Sequence, residues 1–389
     1  MKRLRQILNI ASRECGILRH HPVYLFCMVL FPIAVTFFFT SLMNEGQPIG
    51  MPVGIVDMDN TPTSRAMIRR LNAFQTTNIV AHYPNINEAR QAIQQNKIYA
   101  FLYIPQGTTD GLLAAKQPKI SFYYSYASLS AGALLYRDLK VIATLGSASV
   151  GQATMRAKGY TDKQIQTFLQ PIVVDLHPIG NPWISYNVYL STMLIPGCLM
   201  LFIFLITAYS LGTELKFKRS RQLLAMADGN IHIALIGKFL PQTLIFLTIM
   251  YAFMFYVFGV LHFPHPGGVF SILLVGLLAV AASQSFGMFI FGLIPSLRLS
   301  LSICSLWGVL SFSTVGAAFP LMAMDSPLGT LAQLFPLRHY YMIYQICVFN
   351  GYPLINAWFN IMAMLIFIAL PAFIIKNIRK AFLEYVYIP

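Results

Sequence analysis

Residues able to do chemistry are few in this chain and widely spaced. Gly237-Lys238 is its one Gly-Lys pair. A phosphate-cradling loop needs Gly-x4-Gly-Lys-Ser/Thr, so that glycine amides wrap the phosphates and the hydroxyl holds magnesium. Here His232 stands in place of the first glycine and Phe239 in place of the hydroxyl. ATP hydrolysis is therefore not expected of this chain. Asp57 and Asp59 are spaced as a carboxylate pair of the kind used in acid–base catalysis. Acids at the C-terminal end of a strand more commonly cap the next helix. His262 and His265 have a tempting metal-ligand spacing, but Pro264 and Pro266 break any helix that would aim both rings. No metal site is expected. His20-His21 reads as interfacial. Arg338-His339 is a candidate substrate exit, with anchoring to lipid headgroups as the competing reading.

The elements that must position these residues are set by where charges are missing. Between Lys238 and Arg298 lie 59 residues without Asp, Glu, Lys or Arg. Similar gaps run from Arg19 to Glu45, Asp175 to Glu214, Arg298 to Asp325 and Arg338 to Lys376. A bilayer core needs about 20 apolar helical residues, and a charge at its centre costs about 2.5–3.5 kcal/mol. With 10% charged residues against 57% hydrophobic, the chain lies outside the soluble range of about 25% charged. Six spans are expected, at 22–44, 187–210, 239–260, 269–293, 299–320 and 355–375. The long gap holds two, because His262-Phe-Pro-His-Pro-Gly-Gly268 is a turn. The first span is too long for a signal peptide and reads as a retained anchor. The five cysteines lie in or beside the spans, and none falls between Glu45 and Pro182. No disulfide framework is expected.

The net charge of +14 is a topology signal. Residues 1–21, 211–238, 294–298 and 376–389 hold 14 bases against four acids, whereas the short loops on the other side, 261–268 and 321–354, carry one base, Arg338. The positive-inside rule then places both termini in the cytosol and residues 45–182 outside it. Residues 1–20 form an amphipathic helix: Leu4, Ile7, Leu8, Ala11, Cys15 and Leu18 share one face, and Lys2, Arg5, Asn9 and Arg13 the other. Lys2, Arg5 and Arg13 are expected at anionic headgroups.

Residues 48–180 alternate between short strands and helices, which favours a small α/β domain. Strands are expected at Val53–Asp57, Asn78–His82, Ala100–Ile104, Lys119–Tyr124 and Ile172–Leu176. Helices are expected at Thr63–Leu71, Ile86–Gln95, Leu129–Ala157 and Ile165–Leu169, with Thr61 or Thr63 as the first cap. Residues 211–238 form a cytosolic loop with a short helix at Arg219–Ala227. Ser326-Pro327 starts a helix in 321–350, Pro336 interrupts it, and two short outer helices fit better than a seventh span. Residues 377–389 read as a cytosolic tail.

Together these features resemble the permease subunits of bacterial type-2 ABC exporters, in the multidrug- and lipid-exporter-like group with a large external domain after the first span. The amphipathic N-terminal helix, the opening Pro52-Val-Gly-Ile-Val-Asp-Met-Asp-Asn60, Asn181-Pro182 with Tyr189 and Ile195-Pro-Gly197, and the helical hairpin before the last span all match. So does Glu214 followed by Leu223-Leu224 and Gly237-Lys238. Where the family usually has a second acid and Gly-Thr, this chain has Lys216, Lys218 and Arg219. The resemblance implies a polytopic α-helical fold of six transmembrane helices, with an extracytoplasmic α/β domain between the first two. It implies export of a lipophilic or amphipathic substrate across the bacterial inner membrane, powered by a separate ABC ATPase that binds the ATP and magnesium, with no cofactor in this chain. A second permease half, a periplasmic adaptor and membrane lipids are the other partners implied. Glu214, Arg219, Arg221, Gln222, Leu223 and Leu224 are expected to couple to the ATPase. The charge-free spans disfavour a proton- or sodium-coupled carrier. A membrane-anchored envelope sensor or scaffold, or an interfacial enzyme, is the alternative.

Overall fold

A computed structural model describes residues 2–384 apart from 115, 173, 174, 176, 178, 179 and 318. The chain divides into a helical unit, residues 1–44 with 179–389, and a second unit, residues 45–178.

Six helices of the first unit are long and apolar enough to cross a membrane: Pro22–Leu42, Asn187–Lys216, Ile231–Val260, Gly268–Leu293, Leu297–Thr314 and Leu354–Glu384. Their number matches the charge gaps, but several ends do not. The second and third run on past the apolar stretch to include Glu214 and Lys238. The sixth continues through the expected tail to Glu384, because Ile374, Ile378 and Phe382, spaced four apart, are buried and keep the last turns docked. The fifth stops early, at Thr314. Spans two and four cross closely at Gly287, where a Cβ would meet the Phe204 carbonyl oxygen at 2.8 Å. Small residues permit such backbone approach where lipid supplies no hydrophobic drive.

In the outer hairpin, Pro336 lies in the first turn of the Pro336–Ile343 helix, after a preceding helix at Ser326–Ala332. It starts the second helix rather than interrupting one, since a first-turn proline gives up no helical hydrogen bond.

The second unit is built on a four-stranded sheet in the order β2-β1-β3-β4, with β1 Met51–Asp57, β2 Thr77–His82, β3 Ala100–Ile104 and β4 Ser121–Tyr124. β1 pairs in parallel with β2 and β3, and β4 closes one edge antiparallel to β3. Its helices are α1 Pro62–Asn72, α2 Ile86–Gln94, α3 Thr108–Leu113, α4 Leu129–Ala157 and α5 Asp162–Leu169. α1 and α4 cover one face, packing Leu71, Leu135 and Leu139 on Val53, Ile55 and Leu102. α2 covers the other, with Ala89 and Ala92 against Val56 and Phe101. A parallel core strand buried on both sides accounts for the near-continuous apolar run of β1. The short α3 was not expected. The strand expected at Ile172–Leu176 lies largely outside the described residues.

Asp57 and Asp59 tie down this sheet's C-terminal end. Asp57 Oδ1 accepts from the amides of Asp59 (3.0 Å) and Asn60 (3.1 Å), and its Oδ2 accepts from the Ser64 hydroxyl at 2.7 Å. Asp59 Oδ2 accepts from the Thr109 hydroxyl at 2.5 Å and the Thr61 hydroxyl at 2.9 Å. Thr61 forms a capping box with Ser64. The pair is committed to turn and cap.

Candidate functional site

The apolar side of the N-terminal helix, Lys2–His20, is only partly covered. Ile10, Ala11 and Leu18 are buried in the protein, while Leu4 and Leu8 remain exposed. The buried face runs against the third span. There Gly237 lets the helices touch, since a Cβ would meet Ile10 Cβ at 2.8 Å and the Ile7 carbonyl oxygen at 3.0 Å. Gly237 in the Gly-Lys pair is thus a packing residue.

Glu14 lies on that same buried face and is fully inaccessible. Lys238 Nζ reaches Glu14 Oε1 at 2.9 Å and Oε2 at 3.1 Å, and Glu214 Oε1 at 2.9 Å. Arg13 grips Glu214 with both guanidinium nitrogens, at 3.1 and 2.9 Å. Gln242 Nε2 donates to Glu14 Oε1 at 3.1 Å and to Ser210 Oγ at 2.9 Å, and Ser210 donates to Glu14 at 3.3 Å. Two cations and two carboxylates, from the N-terminal helix and spans two and three, form one neutral cluster. Buried charges survive only when paired and hydrogen-bonded in this way. The polar seam continues inward through Thr243, which donates to Gln284 Oε1 at 2.5 Å.

Several expected site residues change role. Glu214, expected among the coupling residues as a brace of the loop at the membrane edge, is an interior group. Arg13 is committed to Glu214, leaving Arg5 exposed on the outer face, while Lys2 pairs with the loop acid Asp228 at 2.8 Å. Hydrogen bonds from Lys2 and Gln6 hold the Asp228 carboxyl below its usual range. Glu14 was missed, although it falls between Ile10 and Ile7 on the helical wheel, where a lone acid requires a buried partner.

The loop helix spans Ser220–Met226, one residue inside each expected end. It is stopped by Asp228 and Gly229, both at positive φ. Leu223 and Leu224 are buried in this chain's own core with Ile10, Leu211, Leu215, Ile378 and Phe382. Their burial removes the reason to expect them in a partner's groove. Ser220 Oγ and Arg221 donate to the carbonyls of Phe382 and Leu383, at 2.9 and 3.0 Å. What faces outward is Lys216, Phe217, Lys218, Arg221 and Gln222. The half-buried Arg219 stacks its guanidinium 5.0 Å from the Phe217 ring centroid. Sequence reasoning passed over Phe217, an exposed aromatic among cations.

Arg338 and His339 are structural in this fold. The buried His339 ring bridges the Gln333 carbonyl at 2.9 Å and the Asn360 side chain at 3.0 Å, pinning the outer hairpin to span six. Arg338 donates to the Val315 carbonyl at 2.6 Å. His339 is thus engaged within the fold, while Arg338 stays half-buried with one carbonyl partner. A groove of about 740 Å³ lies instead between spans one, two and five, lined by residues such as Cys27, Leu205, Tyr209, Ser302 and Leu306. It carries hydroxyl and apolar groups and no Asp, Glu, Lys or Arg.

Among curated proteins none matches this chain. The family model described as ABC-2 family transporter protein matches residues 22–375, spanning all but the two ends of the multi-pass unit and the whole inserted α/β unit. The chain belongs to the ABC-2 transporter family and is the membrane component of an ABC transporter.

Proposed function

We propose that this chain is one permease half of an exporter, working as a homodimer or with a similar second half and driven by a separate ABC ATPase. One observation carries the coupling route: Leu223 and Leu224 of the loop helix pack on Ile10, Leu211 and Leu215, on the elements that also carry Glu14 and Glu214 of the neutral cluster. Force delivered to the outward residues Phe217, Arg221 and Gln222 passes through the Leu223–Leu224 core to spans two, three and six. Because the cluster ties three elements by charge-assisted bonds, it moves them as a block. Phe217 and Arg221 are the anchors we assign to the ATPase interface, since exposed aromatic and arginine side chains dominate such contacts, each worth about 2 kcal/mol or more.

The basic excess on segments 1–21, 211–238, 294–298 and 376–389 supports cytosolic termini and an extracytoplasmic α/β unit in a bacterial inner membrane. That placement leaves the α/β unit available to a periplasmic adaptor. The uncharged groove between spans one, two and five supports a lipophilic or amphipathic cargo, because a charged hydrophilic one would find no counter-charge there.

The test has three arms. Phe217→Ala with Arg221→Glu should insert normally yet lose ATPase co-purification; normal recovery moves the docking surface elsewhere. Single cysteines at Lys116 and Arg219, in a cysteine-free background, should react with an impermeant thiol reagent from opposite sides. Labelling of both from outside intact cells defeats the topology. In reconstituted vesicles an amphipathic compound should stimulate the partner's ATPase. Stimulation by ions or sugars alone would exclude the lipophilic cargo.

A further inference from the structure

The α/β unit holds a cavity of about 750 Å³ between α1, β4 and the second half of α4. That volume suits one drug-sized molecule and is too small for a folded partner. The first half of α4 packs on the sheet, but its second half runs past it, so the space beneath stays unfilled. The apolar floor is Met67, Ile120, Phe122 and the buried Ile142. At the mouth stand Arg70 and Lys119, both exposed. No Asp or Glu lines the cavity, and neither cation is engaged by an acid among the described residues. Elsewhere in the unit Arg137 pairs with Asp138 and Arg156 with Asp162. Gly146 contributes to the room: a Cβ there would approach the Met67 methyl at 3.2 Å.

An apolar hollow with two unpaired cations and no acid is complementary to one kind of small molecule. We propose that this cavity binds a single anionic amphiphile, its hydrocarbon body on Met67, Phe122 and Ile142 and its acidic head between Arg70 and Lys119. The apolar body supplies most of the affinity. The cations exclude cationic and neutral analogues of the same shape, because an uncompensated positive pair repels the first and stays unpaired with the second. This binding is a property of the α/β unit and does not depend on the ATPase or on the transport direction proposed above.

The experiment uses the full-length detergent-purified chain and three photoreactive probes of equal chain length, a fatty carboxylate, its methyl ester and its trimethylammonium counterpart. The carboxylate should label peptides within residues 62–70 and 119–150 saturably, at least about tenfold more than the ester or the ammonium probe, a difference of about 1.4 kcal/mol. Arg70→Glu with Lys119→Glu should reverse that order in favour of the ammonium probe. Gly146→Leu intrudes into the hollow beside Met67 without changing charge, and leucine favours the helix over glycine, so the fold is kept; it should weaken labelling by all three probes at this site. Equal labelling by the three probes, labelling confined to the membrane spans, or unchanged labelling in Gly146→Leu would each overturn the proposal. Circular dichroism of each variant establishes that the unit is folded before labelling is compared.

Discussion

Lys238→Met addresses the buried cluster most directly. Methionine retains a flexible apolar stem and deletes the ammonium. In the parent, Arg13 and Lys238 balance Glu14 and Glu214. In the variant two carboxylates share one guanidinium, and the inaccessible Glu14 loses contacts at 2.9 and 3.1 Å, keeping only Ser210 and Gln242 as close donors. Stranding one buried charge costs about 3–5 kcal/mol. At about 2 °C per kcal/mol, the low end of the range for mid-sized chains, the apparent melting midpoint should fall by about 6–10 °C. Adding Glu14→Gln restores neutrality, because Arg13 still grips Glu214 through two bonds and the new amide still accepts from Gln242 and Ser210. The double variant should regain more than half of the loss. Thermal unfolding of the detergent-purified full chain, followed by size exclusion, compares the parent, both single variants and the double. Lys2→Met is the control: its pair with Asp228 is 2.8 Å long but exposed on both sides, and water screens such contacts, so its midpoint should match the parent. An unchanged midpoint in Lys238→Met, or a double variant weaker than the single, would refute charge compensation as the cluster's role.

Gly237→Leu should prise the N-terminal helix from span three, costing about 1–3 kcal/mol by overpacking; faster hydrogen exchange over residues 4–14, with the sheet of the α/β unit unchanged, is the expected result. His339→Ala leaves the Gln333 carbonyl and Asn360 without their partner, at a cost of about 1–3 kcal/mol. Its melting midpoint should drop while transport per folded molecule persists; lost transport at unchanged stability would return His339 to the cargo path. Burial raises the Asp59 carboxyl pKa, but hydrogen bonds from Thr109 and Thr61 outweigh it and hold the folded value below the usual range. A depressed folded pKa stabilises the unit above the unfolded value of about 3.9, and that stability is lost as pH falls through the folded value. Urea midpoints taken from about pH 5 downward should therefore fall less in Asp59→Asn than in the parent.

Much of the architecture was legible in the residue order because the governing physics is local or one-dimensional. A charge-free run longer than a bilayer is a span wherever it stands in the fold, so all six were countable. The apolar runs of β1 and β3, the Thr61 cap, and the bounds of α4 follow from backbone hydrogen-bonding needs within a few residues. Asp57 and Asp59 were read as caps of the next helix, but Thr61 holds that position and the two acids brace the turn before it. Span ends were less so, because hydropathy stops at a charge whereas a helix stops only when its last turn has nothing to pack against. Spans two, three and six run on because Glu214, Lys238 and Ile378 each find a buried partner.

The candidate site belongs to tertiary structure. Glu14, Glu214 and Lys238 are 200 and 24 residues apart in sequence, read from their positions, and each alone reads as a charge at a membrane edge. Only the packing of the N-terminal helix on span three, through Gly237, makes them, with Arg13, one neutral set. The same packing buries Leu223 and Leu224, turning a docking motif into core and leaving Phe217 outside. Sequence alone determined six segments long and apolar enough to cross a bilayer, and an α/β insert after the first, since transfer free energy is a property of each segment. Which charges are buried, and which face of the loop remains for a partner, was decided by long-range contacts, because a charge's cost depends on what surrounds it.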